Sequence, residues 1–519
     1  MAEFASTVDV LEIVVGSCGL RNPAAALQMR GVSRAWYSAV SNVVRQLARD
    51  EDQSWNGATR LCAWAAKLPK VARLCVVAGG AEWLQELPQT VIKAPPGSRR
   101  VPASVIIDVL RRMPLLTTMQ LGLSLSAEDT QTLFTAMPEL CQHLQRLDLV
   151  GASFAFDDSA DIVAAAIPPT VVSIDFEASI NETQGGDRFA EALLTAHGPR
   201  LQELRLCKLS ATGKGNGVGQ KTADLIGAVC PKLRRLDLTT GEEIDWAGLV
   251  VQLPLLKDAS FSSKSGVVFD DEVLRSIGAH CPQLQRLYVG SWSHTITGAG
   301  LLHIARGCPD FRELHMYCKD VTGADIVRFA SQCPELRKLD VDGLSDSAPL
   351  AGLGRAAPKL EHVHLLGLRQ PLPAGFCDEL PNLQSLVLGG SAQFTHEMAV
   401  AVGTKCPNLR TFDAARQDFV KDASLVAIAR GCPELRNLNV TNGSAAAAGA
   451  ITDAGIIAIA QNCPRLECIN VTGRLAVTDA AMRAIGRHCS RIWSIQWTTK
   501  KRGGTITDDL PPSIVGGLE

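Results

Sequence analysis

The sequence predicts an α/β solenoid, with parallel strands on the inside of a horseshoe and helices on its outside. Three observations carry that prediction. The phrase Cys-Pro-x-Leu-x-x-Leu-x-Leu recurs as CPKLRRLDL from Cys230, CPQLQRLYV from Cys281, CPDFRELHM from Cys308, CPELRKLDV from Cys333, CPNLRTFDA from Cys406, CPELRNLNV from Cys432 and CPRLECINV from Cys463. Looser copies include CQHLQRLDL, GPRLQELRL, APKLEHVHL, LPNLQSLVL and CSRIWSIQW. The first apolar anchor returns at Leu116, Leu144, Val171, Leu201, Leu233, Leu256, Leu284, Phe311, Leu336, Leu360, Leu383, Leu409, Leu435, Leu466 and Ile492, in steps of 23 to 32 residues. Between copies lie stretches such as TGAGLLHIARGC and TDAGIIAIAQNC, with apolar residues at helical spacing. A period of this length marks a repeat architecture, in which each unit buries its apolar face only against its neighbours. That is how a chain of 519 residues can avoid splitting into several globular cores.

Each half of the unit has a physical reason. In L-x-x-L-x-L the last two leucines alternate with polar residues, which makes a short strand with one buried face. In the following segment a Thr can cap the helix N-terminus, and the Pro after Cys stops the helix. A Cys at one register of every unit is then a small apolar filler at the helix end. The sixteen cysteines are spread at repeat spacing with no C-x-x-C among them, so reduced thiols are expected rather than disulfides or a metal site.

Residues 101–498 are read as the solenoid, 51–100 as a linker or degenerate repeat and 499–519 as a tail. PKVARLCV, from Pro69, is a candidate degenerate unit. Residues 1–50 read as a small helical segment, with one apolar pattern at Val10, Ile13 and Val14 and another at Val32, Trp36 and Val40. Two loops depart from the period. SATGKGNGVGQKT is Gly-rich but lacks the G-x-x-x-x-G-K-[ST] of a phosphate loop, and GSAAAAGA is low-complexity filler.

The repeat phrase with its ITDAG-like helix starts resembles the cysteine-containing class of leucine-rich repeat. That class is found chiefly in F-box proteins, the substrate receptors of SCF-type ubiquitin ligases. Residues 8–47 resemble an F-box, whose final helix is matched by Val32, Ser33, Arg34, Ala35 and Trp36, although the usual Leu-Pro at the start of the first helix is lacking. The resemblance implies that Val10, Leu11, Val32 and Trp36 contact the ligase adaptor, with a cullin as a further partner and a protein substrate on the repeats. The alternative is a leucine-rich-repeat interaction scaffold with no ligase role.

Strand residues between the buried leucines should face the concave surface. That column reads Asp148, Asp175, Arg205, Asp237, Ser260, Tyr288, His315, Asp340, His364, Val387, Asp413, Asn439, Asn470 and Gln496, flanked by Tyr317, Lys338, Asp342 and His362. With strands about 4.8 Å apart, Tyr288, His315, Tyr317, Asp340, His362 and His364 should form one patch about 15–20 Å across. Aromatic and imidazole groups on a rigid face suit protein recognition.

No G-x-S-x-G or H-E-x-x-H motif occurs, so the expectation is binding without catalysis, metal or cofactor. A formal charge of −2 disfavours nucleic acid or an anionic membrane as the main partner. The N-terminus has no basic region before its apolar stretch and no run is long enough to span a bilayer, so a cytoplasmic or nuclear protein is expected.

Overall fold

A leucine anchor, a short strand and a Thr-capped helix do recur, and their stacking explains the repeat phrase residue by residue. The computed structural model describes residues 103–497, apart from 112–115, 123, 155–159, 181–184, 208–217, 264–268, 294, 345, 369, 371, 390–393, 418–419 and 442–450. Before residue 103 it describes only the backbone of three short strands, Ile13–Val14, Arg73–Ala78 and Val91–Ala94. Contacts divide the chain into two units, Met1–Asp245 with Phe261–Ser265, and Trp246–Ser260 with Gly266–Glu519.

In the first unit, strands Thr118–Gly122, Arg146–Phe154, Ser173–Ile180, Glu203–Cys207 and Arg235–Thr240 pair in parallel and in register, so that Leu147, Ile174, Leu204 and Leu236 stack in one buried row. Helices Ala127–Leu140, Ala160–Ala165, Gly185–His197 and Gln220–Val229 alternate with them. Arg73–Ala78 pairs with Thr118–Gly122, so the PKVARLCV segment occupies the strand position of a unit. The backbone at Ile13–Val14 is extended and pairs with Val91–Ala94. The spacing of Val10, Ile13 and Val14 predicts a helix there, but β-branched Ile and Val in succession favour a strand. The remainder of residues 1–50, including Val10, Leu11, Val32 and Trp36, lies outside the described residues.

The second unit repeats the scheme from Arg286–Ser293 through Glu313–Cys318, Lys338–Asp342, His362–Leu366 and Ser385–Leu388 to the three-residue strands Thr411–Asp413, Asn437–Asn439, Cys468–Asn470 and Ser494–Gln496, all parallel. The fold is therefore an α/β leucine-rich-repeat solenoid. Strand burial alternates, with Leu314, Met316 and Cys318 buried between half-buried neighbours, because one pleat face meets the helices and the other does not.

The helix starts account for the T-D-A-G motif. Thr297, Thr452 and Thr478 are N-caps whose hydroxyls accept from the amide two residues on. The Asp that begins one helix reaches the cap of the next: Asp271 accepts from Thr297 N at 2.8 Å and Thr297 Oγ1 at 2.6 Å, and Asp422 does the same for Thr452, as does Asp453 for Thr478. Gly455 stands where a Cβ would lie 2.6 Å from Asp422 Oδ1. Each carboxylate also sits at a helix N-terminus, where the aligned peptide dipoles favour it.

The cysteines close the opposite end. Cys281, Cys308, Cys406, Cys432, Cys463 and Cys489 are C-caps, and their amides return to the helix, as Cys308 N does to Ile304 O at 2.9 Å. The thiols form a ladder of weak hydrogen bonds: Cys308 Sγ donates to Cys281 O at 3.4 Å, Cys432 Sγ to Cys406 O and Cys463 Sγ to Cys432 O at 3.5 Å. Burial pushes Cys308, Cys432 and Cys463 up to about 12, so they are structural thiols rather than nucleophiles.

The repeats are not uniform. Between Leu336 and Leu383 the steps shrink to 24 and 23 residues, and full helices give way to the 3₁₀ turns Ala348–Gly352 and Ala374–Cys377 and the single turn Leu353–Ala356. Pro349 and Pro373 at or beside the turn starts suit a tight turn and oppose a longer helix.

Candidate functional site

The patch residues named from the sequence stand on four neighbouring strands of the second unit, in register. Tyr288 is level with His315, His315 with Asp340 and Asp340 with His364, while Tyr317 is level with Asp342 and Lys338 with His362. At about 4.8 Å per strand step, Tyr288 to His364 spans about 14 Å. Their side chains lie on the pleat face opposite the buried Leu287, Leu314, Leu339 and Val363.

The centre is Asp340. Its Oδ2 lies 2.8 Å from His315 Nδ1 and 3.2 Å from His364 Nδ1, so two imidazoles from opposite sides converge on one carboxylate oxygen. Burial alone would raise the Asp340 carboxyl, since its side chain is only 12 % exposed. The hydrogen bonds and charge of the two histidines reverse that and hold it well below the usual carboxylate range. Tyr288 stacks flat on His315, with ring centroids 4.2 Å apart and planes 13° apart, and remains 41 % exposed. His364 continues the chain from Nε2 to Ser385 Oγ at 3.1 Å. Burial lowers His362, and burial together with the Asp340 charge raises Asp342. Tyr317 reaches over Gly343, whose φ of +88° and 2.4 Å approach of a built Cβ to Cys318 O leave room only for glycine.

Ser385 is the residue that sequence reasoning missed. It stands in register with His362 rather than His364, and its diagonal contact has no spacing signature. Asp340, His364 and Ser385 have the connectivity of an orienter, a base and a nucleophile. Ser385 is nonetheless buried and its strand is paired on both edges, which engages the amides an oxyanion would need. The arrangement is a polar cluster with one exposed aromatic ring stacked on it.

Further along the same column the residues are already occupied. Asp413 Oδ1, Asn439 Oδ1 and Asn470 Oδ1 accept from Ala415 N, Thr441 N and Thr472 N at 2.9, 3.2 and 3.0 Å. Asn439 Nδ2 also donates to Asp413 Oδ2 at 2.9 Å. These are turn-forming side chains, and they close the strand ends.

No family model matches the chain, and no curated protein matches it. Solved structures do. An internalin (inlF) from Listeria monocytogenes is similar at 13% identity over 69% of this chain and 82% of its own, with a TM-score of 0.38. The TLR13–ssRNA13 complex is similar at 16% identity over 85% of this chain and 57% of that one, with a TM-score of 0.39. The complex of Rad7 and Elc1 in yeast is similar at 14% identity over 87% of this chain and 96% of that one, with a TM-score of 0.42. Among the described residues, no helix is long and apolar enough to cross a membrane and no group of three His, Cys, Asp or Glu side chains is arranged to hold a metal ion.

Proposed function

We propose that this chain is a non-enzymatic substrate receptor of an SCF-type ubiquitin ligase, supporting ubiquitin-dependent protein degradation in the cytoplasm or nucleus. The strand face at Tyr288, His315, Tyr317, Asp340, His362 and His364 binds the protein target. The N-terminal segment with Val10, Leu11, Val32 and Trp36 binds the adaptor and, through it, the cullin. The target-binding half rests on one observation: an exposed tyrosine ring is stacked on a histidine whose position is locked by Asp340. Such pre-ordered aromatic anchors bind without first losing rotamer freedom. The adaptor-binding half rests on the F-box-like residues together with this class of repeat. No cofactor or metal takes part.

Co-purification of the tagged full chain tests both halves. The expected result is recovery of an adaptor and a cullin, lost when residues 1–50 are removed, and of a separate target, lost in Tyr288→Ala/His315→Ala while the adaptor is kept. Recovery of stoichiometric partners with no cullin would establish the scaffold reading instead.

A further inference from the structure

In the second unit, the residues on either side of the leucine anchors form two rows at the strand starts. Glu335, Lys359, Asn382 and Asn408 precede four successive anchors, and Arg337, Glu361, Gln384 and Arg410 follow them, with Arg436 and Glu467 next in the second row. The second row lies level from strand to strand. Glu361 N donates to Arg337 O and Arg436 N to Arg410 O at 2.8 Å, and Gln384 N to Glu361 O and Arg410 N to Gln384 O at 2.7 Å. Most of the side chains are spent on a neighbour. Arg337 Nη1 donates to Glu361 Oε1, and Gln384 Nε2 to Glu361 Oε2 at 3.1 Å. Lys359 pairs with Glu335, and Arg436 Nη1 lies 3.7 Å from Glu467 Oε1. Asn382 Nδ2 donates to Pro358 O at 3.1 Å and Asn408 Nδ2 to Pro381 O at 3.0 Å.

Arg410 breaks the pattern. Arg337 and Arg436 each meet a glutamate on the following strand, but the residue after Arg410 in its row is Arg436 and the one before it is Gln384. The residue is exposed, and among the described residues its guanidinium has no ion-pair or hydrogen-bond partner. An opening lies beside it: a cavity of about 350 Å³ is bounded by Arg410 and by the residues of both rows from Arg337 to Asn408. Of the three cations in this wall, Arg337 is answered by Glu361 and Lys359 by Glu335. The charge left uncompensated is that of Arg410.

We propose that this cavity receives an acidic side chain, aspartate or glutamate, of a protein partner, whose carboxylate pairs with the Arg410 guanidinium. The planar fork of arginine matches the two oxygens of a carboxylate. Asn382 and Asn408, each holding one backbone carbonyl through its amide nitrogen, have a second N–H to offer in the same wall. One uncompensated cation calls for a monoanion, whereas a phosphate would bring a second negative charge to a wall that already holds Glu361. An ion pair on open surface contributes little; a carboxylate set in a cavity among amide donors loses less to solvent. Arg337, Glu361 and Gln384 directly precede Lys338, His362 and Ser385, so the cavity adjoins the strand face described above. It uses none of the proposed target-binding residues, and the inference stands whether or not the ligase reading does.

Saturation-transfer NMR titration of the full chain with Nα-acetyl-glutamate methylamide, at neutral pH and low salt, tests it. Saturable millimolar binding is expected, falling as salt is raised. It should weaken by about tenfold or more, the factor set by one charge-assisted hydrogen bond, with Nα-acetyl-glutamine methylamide and in Arg410→Gln. Arg410→Lys, which keeps the charge and loses the fork, should bind at intermediate strength. Arg430→Gln, which removes an exposed arginine of helix Asp422–Gly431 outside the cavity, should bind as the wild type does. Because Arg410 holds no partner in the fold, a melting curve of Arg410→Gln should match that of the wild type. Absence of binding to the wild type, equal binding by Arg410→Gln or of the glutamine probe, or tighter binding of Nα-acetyl-O-phosphoserine methylamide would each overturn the proposal.

Discussion

Asp175 makes a stability prediction that can be worked through with its sign. An aspartate in an unfolded chain titrates near ~3.9, whereas burial pushes Asp175 up to about 6 in the fold. The folded state therefore holds the proton more tightly. Its contribution to stability is most favourable below the unfolded value, declines as pH rises between the two, and levels off above about 6. A gap of about two pH units amounts to about 3 kcal/mol of destabilisation at neutral pH, and the side chain is buried enough (12 % exposed) for that conversion to apply. Asp175→Asn keeps the shape and discards the charge. It should be more stable than the wild type near neutral pH by up to that amount, which is already net of the attraction of Arg205. The two proteins should converge below pH ~3, where Asp175 of the wild type is protonated in both states. At roughly 2–4 °C per kcal/mol for a unit of this size, the gain is several degrees. Thermal unfolding followed by circular dichroism across that pH range is the assay. The first transition should be tracked, since repeat arrays need not melt in one step. An Asn variant that melts at or below the wild type near neutral pH, or a difference that ignores pH, would refute the reasoning.

Asp340 should behave oppositely. Its carboxyl is held low, so its contribution is present above the ordinary carboxylate range and fades as the solution is acidified below it. Asp340→Asn should cost about 1.5–3 kcal/mol at neutral pH, and denaturant melts at neutral and acidic pH should show the gap closing. Gly307→Ala should destabilise despite the roughly 1 kcal/mol that alanine gains in helix propensity, because its Cβ would lie 1.8 Å from Gly278 O on the adjacent helix; a melting temperature at or above the wild type would contradict this packing. Iodoacetamide labelling of the native chain should reach Cys468, the half-buried thiol, before Cys308, Cys432 or Cys463, as read by peptide mass mapping.

Much of the fold was legible in the sequence because stacking repeats the same demand in every unit. The leucine anchors, the Thr caps and the C-terminal Cys each recur at one register, and each has a single physical reason. The T-D-A-G motif was only half legible. Thr is a local cap, but the partners of Asp271 and Asp422 lie 26 and 30 residues away, across a contact that exists only once the units stack. The 3₁₀ turns between Leu336 and Leu383 were signalled by short steps and prolines, features that a search for similarity between units tends to pass over.

The site shows a sharper limit. Its column was read by counting, and counting cannot distinguish Asp340 from Asp413. Both follow a buried apolar residue on a strand in the same column. Asp413 turns its Oδ1 back to Ala415 N, and its strand ends there after three residues. Asp340 is drawn sideways instead, its Oδ2 taken by His315 and His364, and its strand runs on to Asp342. The histidines lock the carboxylate into the sheet surface beside the flanking row of Tyr317 and Asp342. Where Asn439 and Asn470 replace them, the side chains serve the turns and the strands stop at three residues. At Asp340 one oxygen takes the histidines of both neighbouring strands, whereas Asp413 divides its two oxygens between Asn439 on the neighbouring strand and its own chain's Ala415 amide.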